Sequence, residues 1–390
     1  MKIVGENILG NRLMPFEKTR RNHISLIYRL KEQIDENTLR YALDKALEVF
    51  PYMSYSILEK EGKYFFVENG AKPPISYGKK IVRPVVDRED GPLLTINFTT
   101  DQLFVTFAHV LCDAKGATMF AETLLWFYFD KIKGGIKEVP FIFTKNSPEF
   151  FEDAVFDKDA ATIDFDINQL YEKSYELPFI GKVEEDVGVI SQVRFDKDSF
   201  IGFARKNNTS PTTALFLLFS EALADLYPDS DKDGVMSADV MVDTRKALGV
   251  ENTIKNSLSI ARVLISREEL KEKNFEENAA KVRQQLKCQT TKECINYKHF
   301  NGYNYVPPTF LMSYVYNRSG IEFIGEYISD FVLTESGTRK IDYAVINDCF
   351  TINILFDDES EKVLLALLKV LERHSIPYYY TTVRKLMEEV

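Results

Sequence analysis

The segment Phe107-Ala108-His109-Val110-Leu111-Cys112-Asp113-Ala114-Lys115-Gly116 joins an apolar strand pattern to an apolar helix pattern. Leu103 to Ala108 reads as a buried strand, and helical spacing of apolar residues resumes over Gly116 to Tyr128. We therefore expect His109 at the end of a strand, just before a helix begins. A rigidly held imidazole whose tip faces a cavity meets the needs of a general base for a hydroxyl or amine. Asp113 follows at the turn, where it can pair with an arginine.

The first third of the chain alternates strand and helix patterns. Asn37 is a plausible N-cap for an amphipathic helix that runs through Phe50, where Pro51 stops it. Thr99 to Gln102 separates two strand patterns and predicts an antiparallel hairpin. The strands predicted in this part are Ile24 to Leu30, Met53 to Leu58, Tyr64 to Val67, Leu94 to Phe98 and Leu103 to Ala108.

An acidic stretch with scattered glycine and proline separates this part from a second lobe. We predict a first lobe over 1–150, a connecting segment over 151–186 and a second lobe over 187–390. Both lobes mix strands and helices without regular βαβ alternation, which predicts an α+β fold. The predicted elements of the second lobe are strands at Gly188 to Phe195, Val235 to Val242, Leu258 to Ile265, Phe310 to Tyr316, Ile321 to Leu333, Tyr343 to Ile346 and Phe350 to Phe356, and helices at Asp196 to Lys206, Ser210 to Tyr227, Arg267 to Leu286 and Glu359 to His374.

Composition and charge limit the classes of function. The chain has 390 residues, of which 45% are hydrophobic, so it can bury a large core. The 49 Lys and Arg against 59 Asp and Glu give a net charge of -10, which disfavours a nucleic-acid partner. The start carries no apolar signal-peptide core and no window nears a membrane span, so we expect a cytoplasmic protein without membrane contact. The four cysteines form no CxxC pair, and we expect no metal.

The segment at His109 resembles the HHxxxDG or HxxxD motif of the acyltransferase superfamily that includes chloramphenicol acetyltransferase, the condensation domains of peptide synthetases and the alcohol O-acetyltransferases. His109 matches the catalytic second histidine and Asp113 the structural aspartate. Ala108 replaces the first histidine, Ala114 replaces the glycine, and Gly116 stands two positions later. The order of elements is similar to that of two-lobed members over nearly the whole chain. The resemblance implies two chloramphenicol-acetyltransferase-like lobes with an active-site channel between them.

Weaker similarities lie in the second lobe. Asp239 to Leu248 resembles the strand that ends in an Asp-x-Arg turn, and Asn256-Ser257 resembles an asparagine-containing segment beside the channel. Met312 to Asn317 resembles the strand whose hydroxyl residue faces the histidine, which makes Ser313 the candidate oxyanion donor and places Asn317 near the channel. Asp113 would hold its loop through a salt bridge, with Gly116 also structural. The candidate partners are Arg20, Arg21 and Arg245.

The resemblance implies transfer of an acyl group, most simply acetyl, from coenzyme A to a hydroxyl or amine acceptor. Acyl-CoA would be a co-substrate, and no permanently bound cofactor is expected. A carrier protein could instead supply the thioester in trans. Because one chain with two lobes can form the cleft internally, we expect a monomer.

Other interpretations of the same residues stay open. A single histidine on an apolar strand is often an interior residue with satisfied hydrogen bonds. Cys112 beside His109 suggests a Cys-His nucleophile, although a small buried thiol usually serves packing. His109 and Asp113 as metal ligands lack a third partner in sequence. A catalytically silent relative that binds a ligand or protein is the remaining alternative, because the motif is altered at Ala108 and Ala114.

Overall fold

A computed structural model describes residues 2–6, 13–14, 23–68, 70–86, 91–136, 145–171, 174–178, 189–228, 234–317, 325–335, 339–346 and 348–385. The helices are α1 (Glu36–Val49), α2 (Ala114–Lys133), α3 (Lys197–Lys206), α4 (Pro211–Leu226), α5 (Arg245–Leu248), α6 (Arg267–Glu272), α7 (Phe275–Gln289), α8 (Lys292–Asn301) and α9 (Ser360–Arg373). The strands are β1 (Lys2–Glu6), β2 (His23–Leu30), β3 (Ser56–Lys60), β4 (Lys63–Glu68), β5 (Ile75–Tyr77), β6 (Leu94–Phe98), β7 (Gln102–Ala108), β8 (Val189–Asp196), β9 (Val235–Asp243), β10 (Leu258–Ser266), β11 (Phe310–Asn317), β12 (Ile328–Glu335), β13 (Lys340–Ile346), β14 (Cys349–Leu355) and β15 (Tyr378–Lys385).

The first lobe is built on a five-stranded sheet of order β12-β2-β7-β6-β5. β5 pairs with β6 in parallel, and the other neighbours are antiparallel. Helices α1 and α2 bury their apolar faces in the same core as β2, β6 and β7. A three-stranded sheet, β1-β4-β3, adds to this lobe, and Phe66 of β4 belongs to the core. Because β7 is central and buried, the residue that follows it is anchored firmly.

The second lobe is built on a seven-stranded sheet of order β10-β9-β11-β13-β14-β8-β15. β11 is parallel to both of its neighbours, and the remaining pairs are antiparallel. Helix α4 is apolar on almost every face and lies in the core with α9. The helix expected from Ser210 begins at Pro211, which occupies its first turn, and Ser210 is its N-cap. The mixed sheets and helices confirm the predicted α+β class with two lobes.

Strand β12 connects the two lobes. It lies in the range predicted for the second lobe, yet it pairs with β2 at the edge of the first lobe's sheet. Asp330 on this strand forms an ion pair with Arg194 of β8. A small apolar cluster that includes Ile27 and Leu355 also joins the two sheets. The lobes are therefore linked by a strand, an ion pair and an apolar contact.

Several element boundaries differ from the sequence expectations. Asp35, not Asn37, caps α1, because its carboxylate accepts the Thr38 N–H at 2.8 Å. The single helix expected over Arg267 to Leu286 is two helices, because Asn274 forms a second capping box with Glu277. The strand expected at Met53 to Leu58 begins only at Ser56, after a 3-10 turn over Pro51–Ser54. The strand expected over Ile321 to Leu333 is described from Ile328, and 321–324 lie outside the described residues.

Five elements had no predicted counterpart: β1, β5, α5, α8 and β15. None of the described helices combines the length and the apolar content that a membrane span needs.

Candidate active site

His109 follows the last residue of β7 and opens the five-residue loop that leads to α2. Its neighbours Ala108 and Val110 are each 1% exposed, whereas His109 itself is partly exposed. The Leu111 N–H donates to the Ala108 carbonyl at 2.9 Å, which closes a turn around the histidine. The Tyr52 hydroxyl donates to the Leu111 carbonyl from within the core. The loop therefore holds the imidazole in a fixed place and leaves part of it open to solvent.

One ring nitrogen of His109 faces a carbonyl oxygen of its own loop. Nδ1 lies 3.1 Å from the backbone oxygen of Cys112. A carbonyl oxygen can only accept a hydrogen bond, so we assign the proton of the neutral ring to Nδ1. In this tautomer Nε2 carries the lone pair. No hydrogen bond involving Nε2 is found among the described residues, and this nitrogen can therefore accept a proton from a substrate.

Asp113 is the N-cap of α2 and joins the two lobes. Its Oδ1 accepts the Gly116 N–H at 2.9 Å and an Nη2–H of Arg245 at 2.8 Å. Its Oδ2 accepts the Ser257 N–H at 3.0 Å. The carboxylate is completely buried, and each oxygen has a donor. Asp113 therefore connects the start of α2 to the second lobe without any free acceptor for substrate chemistry.

Of the three candidate partners of Asp113, Arg245 forms an ion pair with it, whereas Arg20 and Arg21 lie outside the described residues. It also donates to the carbonyls of Thr253 at 2.7 Å and Lys255 at 2.9 Å. Burial alone would lower the pKa of Arg245, but the adjacent Asp113 and Asp243 carboxylates together outweigh burial and raise it. The guanidinium therefore stays charged and fixes the course of 253–255.

Gly116 lies where α2 comes very close to the second lobe. A Cβ on Gly116 would stand 2.0 Å from the backbone oxygen of Ile254, so no other residue fits without moving one of the two segments. Ala114 occupies the first position of α2, where helical backbone angles require no glycine. The displacement of the glycine by two positions in the sequence motif thus has a steric basis in this chain.

Asn256 reaches His109 from the second lobe. Its side-chain amide lies 3.4 Å from Nδ1 of His109, and the segment that carries it is the one fixed by Asp113, Arg245 and Gly116. Beside it, Ser257 accepts a hydrogen bond from the Thr244 hydroxyl at 2.9 Å through its carbonyl oxygen. The structure thus brings His109, Asp113, Gly116 and Asn256 together at the junction of the lobes.

Ser313 lies on β11 and is not hydrogen-bonded to His109 within the described residues. Phe310 and Met312 of the same strand belong to the second lobe's core, so the alternation of a strand turns Ser313 to the other face. Ala344 of the neighbouring β13 shares that face and packs in the first lobe's core. The Ser313 side chain, 9% exposed, is therefore on the face that looks toward the first lobe. Asn317 ends β11, and its side chain lies outside the described residues.

The Cys112 thiol has the properties of a packing residue. It is completely buried in the first lobe's core, and burial raises the pKa of Cys112 well above its ordinary value. A protonated, inaccessible thiol is a poor nucleophile. Among the described residues, no three His, Cys, Asp or Glu side chains cluster as metal ligands would.

Two features of the site were not predicted. The first is the Cys112 carbonyl that faces the imidazole, and no side-chain pattern signals a backbone contact of this kind. The second is the ion pair at 2.7 Å between Lys115 and Asp243, which extends the Asp113–Arg245 pair into a row of four charges. The spacing of Asp113 and Gly116, typical of an N-cap and its N3 residue, is the one local signal that could have revealed the cap.

Solved structures share this architecture at low sequence identity. Polyketide synthase associated protein 5 from Mycobacterium tuberculosis has a TM-score of 0.70 and 14% identity, covering 95% of this chain and 98% of that chain. TRI101 from F. sporotrichioides, complexed with coenzyme A and T-2, has a TM-score of 0.63 and 12% identity, and the match covers 97% of this chain and 100% of that chain. The epimerization domain from the third module of tyrocidine synthetase B has a TM-score of 0.62 and 13% identity, covering 96% and 95%. No protein-family model matches the chain, and no curated protein matches it.

Proposed function

The chain has the fold of the CoA-dependent acyltransferase and condensation superfamily, and from that fold and the geometry of His109 we infer that it is an acyltransferase. The donor would be acyl-CoA, with acetyl the simplest group, and the acceptor a hydroxyl or amine. The observation that carries this proposal is the partly exposed imidazole at the junction of the lobes, with Nδ1 occupied by a carbonyl and Nε2 available. The TRI101 structure holds coenzyme A together with T-2, which supports the proposal that this fold can bind two small molecules at once.

The reaction then needs one proton relay and no covalent enzyme intermediate. Nε2 of neutral His109 takes the proton from the acceptor hydroxyl or amine as the acceptor atom attacks the thioester carbonyl. The resulting oxyanion needs a hydrogen-bond donor, and we assign this role to the Ser313 hydroxyl. Collapse of the tetrahedral intermediate breaks the carbon–sulfur bond. The protonated His109 returns its proton to the leaving thiolate, so the products are the acylated acceptor and free thiol.

Thiol release with acetyl-CoA and a panel of alcohols and amines tests the proposal. His109→Ala is expected to lower kcat/KM by about 10²- to 10⁴-fold, the usual contribution of general base catalysis. His374→Gln is the matched control, because His374 lies at the end of α9 and bonds Glu221. Acceptor-dependent release that persists in His109→Ala would contradict the role of this residue.

A carrier-protein thioester is the second candidate donor. The similarity to an epimerization domain of tyrocidine synthetase B and to a polyketide synthase associated protein favours including it. The same assay with an acetylated phosphopantetheinyl carrier protein distinguishes the two donors by their kcat/KM ratio. If neither donor supports release with any acceptor while the variants remain folded, the catalytically silent binding protein becomes the better interpretation.

A further inference from the structure

Asn256 contacts the same ring nitrogen of His109 that faces the Cys112 carbonyl. The contact joins Nδ1 of His109 in the first lobe to the side-chain nitrogen Nδ2 of Asn256 in the second, at 3.4 Å. Nδ1 already has a carbonyl neighbour at 3.1 Å, which fixes the proton on that nitrogen. The amide group that faces a protonated nitrogen must supply an acceptor.

The orientation of the Asn256 amide follows from that requirement. The nitrogen and oxygen ends of an asparagine side chain exchange places by a 180° rotation, and the hydrogen-bond network decides which end faces a neighbour. With Nδ2 toward His109, two N–H groups would oppose each other. With Oδ1 toward His109, the Nδ1–H is shared between Oδ1 and the Cys112 carbonyl. The second arrangement replaces two opposed donors with one donor and two acceptors, and we assign it to Asn256.

We propose that Asn256 is a positioning residue, which together with the Cys112 carbonyl holds His109 in the Nδ1–H tautomer so that Nε2 acts as the base. The inference rests on the proposed function for its catalytic meaning, but the tautomer itself is a property of the free protein. Asn256 differs here from a substrate-channel residue, because it acts through His109 and need not touch either substrate.

The backbone around Asn256 is fixed well enough to serve this purpose. Arg245 donates to the carbonyls of Thr253 and Lys255 on one side of it, and Asp113 accepts the Ser257 N–H on the other. The Ile254 carbonyl lies against Gly116. The segment 253–257 is therefore held on both sides of Asn256 by contacts that involve the His109 loop and the start of α2.

The charges on the surrounding elements are already balanced. Every one of these charged side chains has an oppositely charged partner within 3.0 Å: Asp113, Lys115, Asp153, Asp243, Arg245 and Lys255. Burial raises the pKa of both Cys112 and Tyr52 well above their ordinary values, so these groups are neutral. A carboxylate introduced at Asn256 would thus add a charge beside the ring that none of these ion pairs compensates.

Two substitutions of opposite effect test the inference. Asn256→Asp places a negative charge at Nδ1, which favours the protonated ring, and is expected to move the titration midpoint of the His109 ring upward. Asn256→Leu removes the acceptor and is expected to move that midpoint downward. Asn252→Asp and Asn252→Leu are matched controls, because Asn252 is exposed in the same loop. Neither control substitution should change the tautomer or the titration of the His109 ring.

The first measurement needs no activity. Ring ¹³C and ¹⁵N shifts of the free protein report the tautomer and the titration, and the chain has only four histidines, so His109→Ala assigns the signal. A predominant Nδ1–H tautomer that responds to both Asn256 substitutions is the expected result. A predominant Nε2–H tautomer, or an Asn256→Leu spectrum equal to that of the Asn252→Leu control, would overturn the inference.

The second measurement separates positioning from substrate binding. Asn256→Leu is expected to lower kcat about tenfold with KM for acyl-CoA changed less than twofold, and Asn256→Asp to move the acid limb of the pH profile upward. A raised KM with unchanged kcat would instead assign Asn256 to the substrate channel and overturn the positioning role. If His109→Ala retains full activity, the proposed function fails, while the ring shifts still decide whether Asn256 orients His109.

Discussion

Gly116 shows how a single missing Cβ sets the distance between two segments of the site. The Ile254 carbonyl occupies the space that any side chain at position 116 would need. This contact brings Asn256, two residues after Ile254, to the His109 ring. Packing of a backbone against a backbone at this distance is available only to glycine.

Gly116→Ala should therefore destabilise the protein by about 1–3 kcal/mol and reduce acyl transfer, since α2 and 253–257 must separate. Gly202→Ala is the matched control: Gly202 lies within α3 with nothing within 4 Å of the added Cβ, so a gain of about 0.4–1 kcal/mol is expected. Urea denaturation of both variants measures the two changes. Equal free energies of unfolding for Gly116→Ala and the parent protein would show that α2 and 253–257 can separate without loss of stability.

At the scale of single residues, the sequence pointed to the candidate site residues but did not reveal which of them contact each other. The HxxxD spacing singled out His109 and Asp113, and the structure places both at the lobe junction. Arg245 could not be chosen over Arg20 and Arg21, because the choice depends on how β9 meets α2 in space, some 130 residues apart in the chain. The catalytic roles of His109 and Ser313 stay predictions.

At the scale of elements, the pair α6 and α7 illustrates how caps divide a continuous pattern. Both helices begin with a reciprocal capping box, at Ser266 with Glu269 and at Asn274 with Glu277. The charged, weakly periodic sequence over 267–286 predicts helix throughout and does not reveal the break, because asparagine also occurs within a helix here, at Asn278.

Asn274→Ala should cost about 1 kcal/mol, because it removes the acceptor for the Glu277 N–H at 3.0 Å. The exposed Asn252→Ala in a loop should change stability by less than about 0.5 kcal/mol. Thermal unfolding followed by circular dichroism gives both values. A loss no larger for Asn274→Ala than for Asn252→Ala would mean that the two helices are not separated by this cap.

Most helices were found from sequence because their apolar residues recur at regular helical spacing, as in α1 and α9, and most strands because their apolar runs are continuous, as in β7. The strands that escaped prediction lie at sheet edges, such as the three-residue β5 and the tyrosine-rich β15. Their identity depends on a partner strand and not on their own pattern, since edge strands carry weak alternation. Pairing of β12 with β2 could not be predicted for the same reason.

At the scale of the whole molecule, the ion pair of Asp113 and Arg245 joins the lobes in a fully buried place. Such pairs contribute little net stability over an apolar pair, but loss of one partner leaves a buried charge. The peripheral pair of Lys115 and Asp243 is close to half exposed, so solvent screens it.

Asp113→Asn should accordingly destabilise the protein by about 3–5 kcal/mol, whereas Lys115→Ala should cost about 0–1 kcal/mol. Arg245→Leu combined with Asp113→Asn completes a double-mutant cycle that measures the coupling. Chemical denaturation provides the free energies of unfolding. Similar losses from Asp113→Asn and Lys115→Ala would refute the claim that the buried pair holds the lobes together.

The position of β12 in the chain matters for protein synthesis. β2 ends at Leu30, whereas the strand that covers its outer edge begins only at Ile328. At about 5–20 residues per second, the ribosome needs roughly 15–60 s to supply that partner. During this interval β2 presents unpaired amides and carbonyls to other nascent chains. A fragment cut at the predicted lobe boundary would keep that edge open permanently, so the two halves of the gene are not expected to yield separately soluble products.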